Sequence, residues 1–274
     1  MRKLLRSNFI RLRNTLSFGL VLAFLLLWNA IMLFSTYDVM TTSGSPLAVD
    51  STLFTFLFII GIALSILIGL FVGTDYNDGT IRNKIITGQS RTNIYMANFI
   101  TSAATGLILC IWGLAVNLAI GIPLFGIPKI PWSFLGSLFL DAVLASIAYA
   151  AIFNLISMLC SNKSHTVILC ILTALVLFFL AIFLYSALSQ PEMYEAAVIT
   201  DGETHIEMMP NPGYLTGMKR EIYQFFMDFL PGGQCAQIAN LEVAHPVRMG
   251  IYSIIITSVS TLLGIFYFRR KDIK

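Results

Sequence analysis

The sequence predicts an all-α integral membrane protein with six transmembrane helices. Six apolar stretches carry that prediction: residues 16–34, 53–72, 99–124, 134–160, 166–188 and 250–268. Each meets or approaches the roughly 20 residues that a helix needs to cross a hydrocarbon core of about 30 Å. Composition agrees. Only 11% of the 274 residues are charged, and the mean hydropathy is +0.82. The placement of lysine and arginine then gives an expected topology, because cytoplasmic segments of membrane proteins are enriched in both.

Arg2, Lys3, Arg6, Arg11 and Arg13 precede the first span. Arg82, Lys84 and Arg91 lie between spans two and three, and Lys163 between four and five. Arg269, Arg270, Lys271 and Lys274 follow the last span. That puts 13 of the 17 basic residues on one side, leaving Lys129, Lys219, Arg220 and Arg248 for the other. Both termini are therefore expected in the cytoplasm. The net charge of +3 is this topological bias and does not point to nucleic acid. The first stretch exceeds the 7–15 apolar residues typical of a signal peptide, and no small-x-small cleavage pattern follows Phe34, so it is expected to stay as a span.

Residues 1–15 place Leu4, Leu5, Phe9 and Leu12 on one helical face, with Arg2, Arg6 and Arg13 largely elsewhere. That pattern suits a helix lying in the inner interface. A short outer loop, 37–50, carries the turn formers Ser43, Gly44, Ser45 and Pro46. Span two spaces Gly61, Ser65, Gly69 and Gly73 by four, a stripe that lets another helix approach closely in lipid.

The inner loop 73–93 has helix signals of its own. Asp78 or Thr80 can cap a short helix, Ile81 and Ile85 give it an apolar face, and Arg82 and Lys84 flank them. Gly88 can end it in a left-handed turn, and Ser90 can cap the helix into span three. A short amphipathic helix held at the membrane boundary suits docking of a soluble partner, though an ordinary connector is also open.

Span three contains Asn117, and span four contains Asp141 and Asn154. Asp141 is the carboxylate expected inside a span, roughly 10 Å below the outer interface at 1.5 Å per residue. A charge at that depth should face protein or water, so Asp141 is a candidate path or gate residue, or a carboxyl bonded within the bundle. Asn117 and Asn154 are candidates for the same path, but interhelical hydrogen bonding is the expected role.

A tight outer turn with Pro128 and Pro131 joins spans three and four, and an inner turn, 161–165, joins four and five. The long outer segment, 189–249, begins acidic with Glu192, Glu195, Asp201, Glu203 and Glu207. From Tyr214 to Leu230 it becomes amphipathic, with Ile222, Phe225, Phe226 and Phe229 at helical spacing. Pro231, Gly232 and Gly233 should stop that helix before a second short segment, Gln234–Val243. Two short helices resting on or dipping into the outer membrane face are expected, with the aromatic ridge near the mouth of any path.

No catalytic constellation stands out. Cys110, Cys160, Cys170 and Cys235 lack metal or redox spacing, with Cys235 alone in the outer loop. His165, His205 and His245 fall in different loops. There is no GxxxxGK[ST] loop, so ATP would have to be bound by another chain.

Asp75, then Gly79-Thr80-Ile81-Arg82, an apolar pair, and Ser90-Arg91 before span three together resemble the permease subunits of ABC-2-type transporters. Phe229-Leu230-Pro231-Gly232-Gly233-Gln234 is similar to a segment before the last span in Gram-positive members, among them bacitracin-type and lantibiotic-type exporters. The resemblance covers the full length, although Asp75 stands where many members have Glu and no proline precedes Ser90. It implies one transmembrane domain over 1–274 in a bacterial plasma membrane. It also implies a dimer with a second permease and a separate P-loop ATPase that holds ATP and Mg. The coupling residues would be Asp75, Asp78, Gly79, Thr80, Ile81, Arg82, Lys84, Ile85 and Arg91. The cargo would be hydrophobic or amphipathic, antimicrobial peptides included. A membrane-embedded enzyme and an ATP-independent transporter or channel are the competing expectations.

Overall fold

The computed structural model describes residues 1–44, 46, 48–200 and 203–272, and for 197–200 and 203–205 the backbone only. Ser45, Asp201 and Lys274, and the side chains of Glu203 and His205, lie outside the described residues.

Among the described residues, six helices are long and apolar enough to cross a membrane: α2 (Leu16–Ser43), α3 (Leu57–Asn77), α5 (Arg91–Phe125), α6 (Trp132–Leu159), α7 (Lys163–Leu188) and α10 (Pro246–Arg270). They make the chain a multi-pass helical protein of the membrane class. Shorter helices are α1 (Arg2–Asn14), α4 (Thr80–Ile86), α8 (Gly217–Phe229) and α9 (Pro231–Ala239). A helix that is hydrophobic all round belongs in the interior. α3 is that helix, and 78% of the most apolar stretch in its span is buried, against 22% in α2, α7 and α10. Those three leave large apolar side chains such as Phe24, Ile31, Phe179, Phe183, Ile254 and Leu262 exposed. Such faces are stable only against lipid or another protein.

The small-residue stripe of α3 is a packing seam. A Cβ placed on Gly69 would lie 3.2 Å from the Cα of Val167, and one on Gly73 3.2 Å from the Cα of Lys163, both on α7. At Gly61 it would meet the Tyr149 ring of α6 at 2.8 Å. Ser65 is fully buried, its hydroxyl donating to the Ile62 carbonyl at 2.8 Å. Gly69→Leu should therefore force α3 and α7 apart at a cost of about 1–3 kcal/mol. The expected result is a lower thermal midpoint in detergent. An unchanged midpoint would refute the seam.

Two features of the outer segment differ from, or sharpen, the expected plan. The acidic start of the outer segment forms an antiparallel hairpin, β1 (Met193–Thr200) with β2 (Glu203–Pro210), Met193 pairing with Pro210 and Ala196 with Glu207. The run Val198-Ile199-Thr200 is β-branched, and Asp201-Gly202 is a dipeptide that favours hairpin turns.

The second feature is α9. Leu230 is extended and Pro231 occupies the first helical position, so the Pro-Gly-Gly run opens a helix as well as closing one. All nine residues of α9 are buried, against α3, α6, α7 and α8. It is inserted among those helices, which rules out the resting form of the expectation and leaves the dipping one. Cys235, expected in an outer loop, is only 2% exposed, so a thiol reagent in the medium would not report on topology there.

Candidate functional site

The coupling candidates gather at one end of the bundle, around the last turn of α3. The Asp75 side chain there is wholly buried between two cations. Arg11 of α1 pairs with its Oδ1, and Lys84 of α4 with its Oδ2 at 3.0 Å. Arg11 also donates to the Phe71 carbonyl at 3.4 Å and stands 3.8 Å over the Phe71 ring centroid. Asn8 of α1 donates to Asn98 of α5 at 2.9 Å and accepts from Lys84 at 3.5 Å. One carboxylate thus ties α1, α3 and α4 together, and Asn8 adds α5.

Burial opposes the charge on both cations. It lowers the Arg11 guanidinium to about 10, with Asp78 acting the other way. It lowers the Lys84 ammonium to about 8, and repulsion from Arg11 adds to that. Pairing with Asp75 is what makes the buried charges tolerable, since a buried ion is stable only when paired and hydrogen-bonded.

Local geometry sets the short helix. Gly79, in the left-handed region (φ 64°), takes the cap position of α4 with no side-chain cap bond, so neither Asp78 nor Thr80 caps it. Gly88 has φ 84° after the helix, and the Ser90 hydroxyl accepts from the Asn93 N–H at 3.2 Å, both as expected. Ile81, expected on the docking face, is turned inward and only 1% exposed. Ile85 and Lys84 are half-buried, whereas Asp78, Arg82 and Asn83 are exposed. Ile86 is 71% exposed. Arg91 is not on that face. Its guanidinium donates to the carbonyls of Phe268 and Arg269 at 3.1 Å each, and to Lys271, capping the end of α10. Lys271 donates to the Cys160 carbonyl at 2.9 Å and the Tyr76 hydroxyl at 3.0 Å. These bonds bring α1, α4, the α6–α7 turn and the end of α10 to one end of the molecule.

The polar residues within the bundle do not converge. Asn117 donates to the carbonyls of Thr52 and Leu53, each at 2.9 Å, and so pins the short segment that leads into α3. Asn154 is fully buried beside Tyr95 at another level, its amide out of good hydrogen-bonding geometry. Asp141 is 8% exposed and faces α10, its Oδ1 3.2 Å from where a Cβ on Gly250 would stand. It points at protein rather than lipid.

At the opposite end, Phe225 and Phe229 of α8 stack at 5.6 Å between centroids and meet Tyr252 of α10 at 5.8 and 5.5 Å. Phe226 lies edge-on to Phe225 at 5.4 Å. Ile222, Phe225 and Phe226 remain exposed. The ridge is thus half packed, half presented outward.

Sequence reasoning missed the polar net behind that ridge. Buried Asp228 accepts from Gln224 at 2.7 Å and Gln237 at 3.0 Å, and His245 Nδ1 lies 2.9 Å away. Gln234 donates to the Asp228 and Met249 carbonyls and accepts from Ser253 at 2.6 Å. Gln234 and Gln237, three apart in an otherwise apolar helix, were the available signal. No protein-family model and no curated protein matches this chain.

Proposed function

We propose that this chain is the membrane permease of an ATP-driven exporter of the ABC-2 type. In this reading a separate P-loop ATPase, carrying ATP and Mg, docks on α4, and a second permease, identical or paralogous, completes the path. The chain would sit in a bacterial plasma membrane with both termini cytoplasmic. It would export hydrophobic or amphipathic compounds such as antimicrobial peptides.

One observation carries the reading. α4 offers Ile86 outward, 71% exposed beside Arg82, while Lys84 anchors the same helix to Asp75. A push on Ile86 would be delivered through the Asp75 carboxylate to α3 and, through Arg11, to α1. Both contacts lie at the end where basic residues concentrate, which suits a cytoplasmic face. The exposed apolar faces of α2, α7 and α10 leave room for the second permease within lipid.

The test is co-purification of a P-loop ATPase with the tagged chain. Ile86→Asp should reduce its amount at least about tenfold, because a charge buried in an apolar contact costs more than 1.4 kcal/mol. The thermal midpoint of the permease alone should not change, since Ile86 is exposed within its own chain. Undiminished ATPase with the variant, or none with the wild type, would overturn the proposal.

A further inference from the structure

Two cavities follow one face of α7. The deeper, about 120 Å³, lies among α3, α6, α7 and α9 and is lined almost wholly by apolar groups, among them Phe58, Phe178 and Ile182. The outer, about 130 Å³, lies among α7, α8 and α9 and is lined by polar groups, among them Arg220 and Glu242. Tyr185 lines both. Along α7 and its cap the lining positions 174, 178, 181, 182, 185, 186, 188 and 189 recur at helical spacing, so the two cavities are in register along one face. Polarity changes along that face from apolar in the span to polar at its end. A membrane amphiphile changes in the same order.

Arg220 supplies the second observation. Its Nη1 is closed off from water with no hydrogen-bond partner among the described residues. The guanidinium stands 5.1 Å over the Tyr214 ring, a cation–π contact. The neighbouring groups are engaged. Gln224 and Gln237 donate to Asp228, and the exposed Glu242 accepts from Tyr185 at 3.0 Å. Arg220 also lines the outer cavity, and a guanidinium fork matches carboxylate or phosphate geometry.

We propose that the two cavities hold one amphiphile with an anionic headgroup. Its alkyl chain lies in the apolar cavity against Phe178 and Ile182, and its phosphate or carboxylate bonds Arg220. An apolar cavity of about 150 Å³ accepts a benzene-sized group, so the inner one takes a length of alkyl chain. The inference rests on the cavities and on Arg220, independently of whether the chain transports anything.

The experiment is a thermal-shift and native mass-spectrometry titration of the full chain in a non-ionic detergent. The probes are lysophosphatidylglycerol, a monoacylglycerol of the same chain length, and inorganic phosphate. The wild type should bind the anionic amphiphile about tenfold more tightly than the neutral one, the worth of a charge-assisted hydrogen bond. Phosphate alone should give no shift, which separates a lipid headgroup from a free anion. Arg220→Gln should erase the preference for the anionic amphiphile and leave the neutral one unchanged. Ile182→Trp, at a half-exposed rim position, should weaken both. Equal binding of the two amphiphiles by the wild type would overturn the proposal. So would undiminished preference in Arg220→Gln, undiminished binding in a folded Ile182→Trp, or a shift with phosphate alone as large as with the amphiphile.

Discussion

Asp75→Asn is expected to destabilise the protein by about 3–5 kcal/mol, the cost of breaking a buried ion pair by removing one partner. The side chain keeps its size but loses its charge, so Arg11 and Lys84 are left facing each other without a counter-ion in a site that already penalises both. The loss should show as a large drop in thermal midpoint and as faster proteolysis around Asn14–Thr15, because Arg11 and Asn8 tie α1 to α3 and α5 beside the buried Leu4 and Leu12. Replacing the set together, Asp75→Leu with Arg11→Met and Lys84→Met, should recover much of the stability, since an apolar substitute for a whole buried ion cluster is often neutral or better. That recovery would leave coupling broken in the proposed exporter, separating the structural role of the cluster from its mechanical one. A wild-type melting curve for Asp75→Asn alone would show that the junction carries no such strain.

Gly233→Val should be the next most damaging change, at about 3 kcal/mol, the upper end of the usual overpacking cost. A Cβ at Gly233 would overlap the Met227 carbonyl oxygen of α8. At Gly232 it would stand 2.6 Å from the Leu177 carbonyl oxygen of α7. Both obstructions are backbone, so no rotamer change relieves them. α9 would have to retreat from its slot and break the Gln234 and Gln237 bonds behind it. Gly136→Ala is the control. A Cβ there meets nothing within 4 Å, so the shorter list of unfolded conformations should stabilise by about 0.4–1 kcal/mol. Thermal midpoints that move alike for Gly233→Val and Gly136→Ala would remove the close-approach explanation for the Pro-Gly-Gly run.

The six spans were legible in the sequence because apolar length is a local quantity that the bilayer reads directly. The stripe from Gly61 to Gly73 was legible for a similar reason, since a four-residue repeat marks one helix face wherever that helix packs. The ends of α4 were half legible. Gly88 and Ser90 acted as expected, but Gly79 displaced Asp78 and Thr80 at the cap.

What decided the rest were contacts between residues far apart in the chain. Asp75 reads as one more polar residue of a docking loop until Arg11, 64 positions earlier, closes over it. Ile81 and Ile86 are equally apolar and both on a seven-residue helix, yet one is buried and the other exposed because α3 and α5 clamp a single side of it. Cys235 and the rest of α9 follow a Pro-Gly-Gly run that by itself says only that a helix stops. Their burial depends on how closely α7 and α8 approach. Arg220 reads as an outer-loop charge, and only the packing of α8 against α7 and α9 shuts its Nη1 from water. Length and periodicity of apolar residues set the class of solvent and the number of spans. Which polar groups end up buried, paired or unpaired depended on the shapes of helix pairs, and no window of the sequence contains both partners.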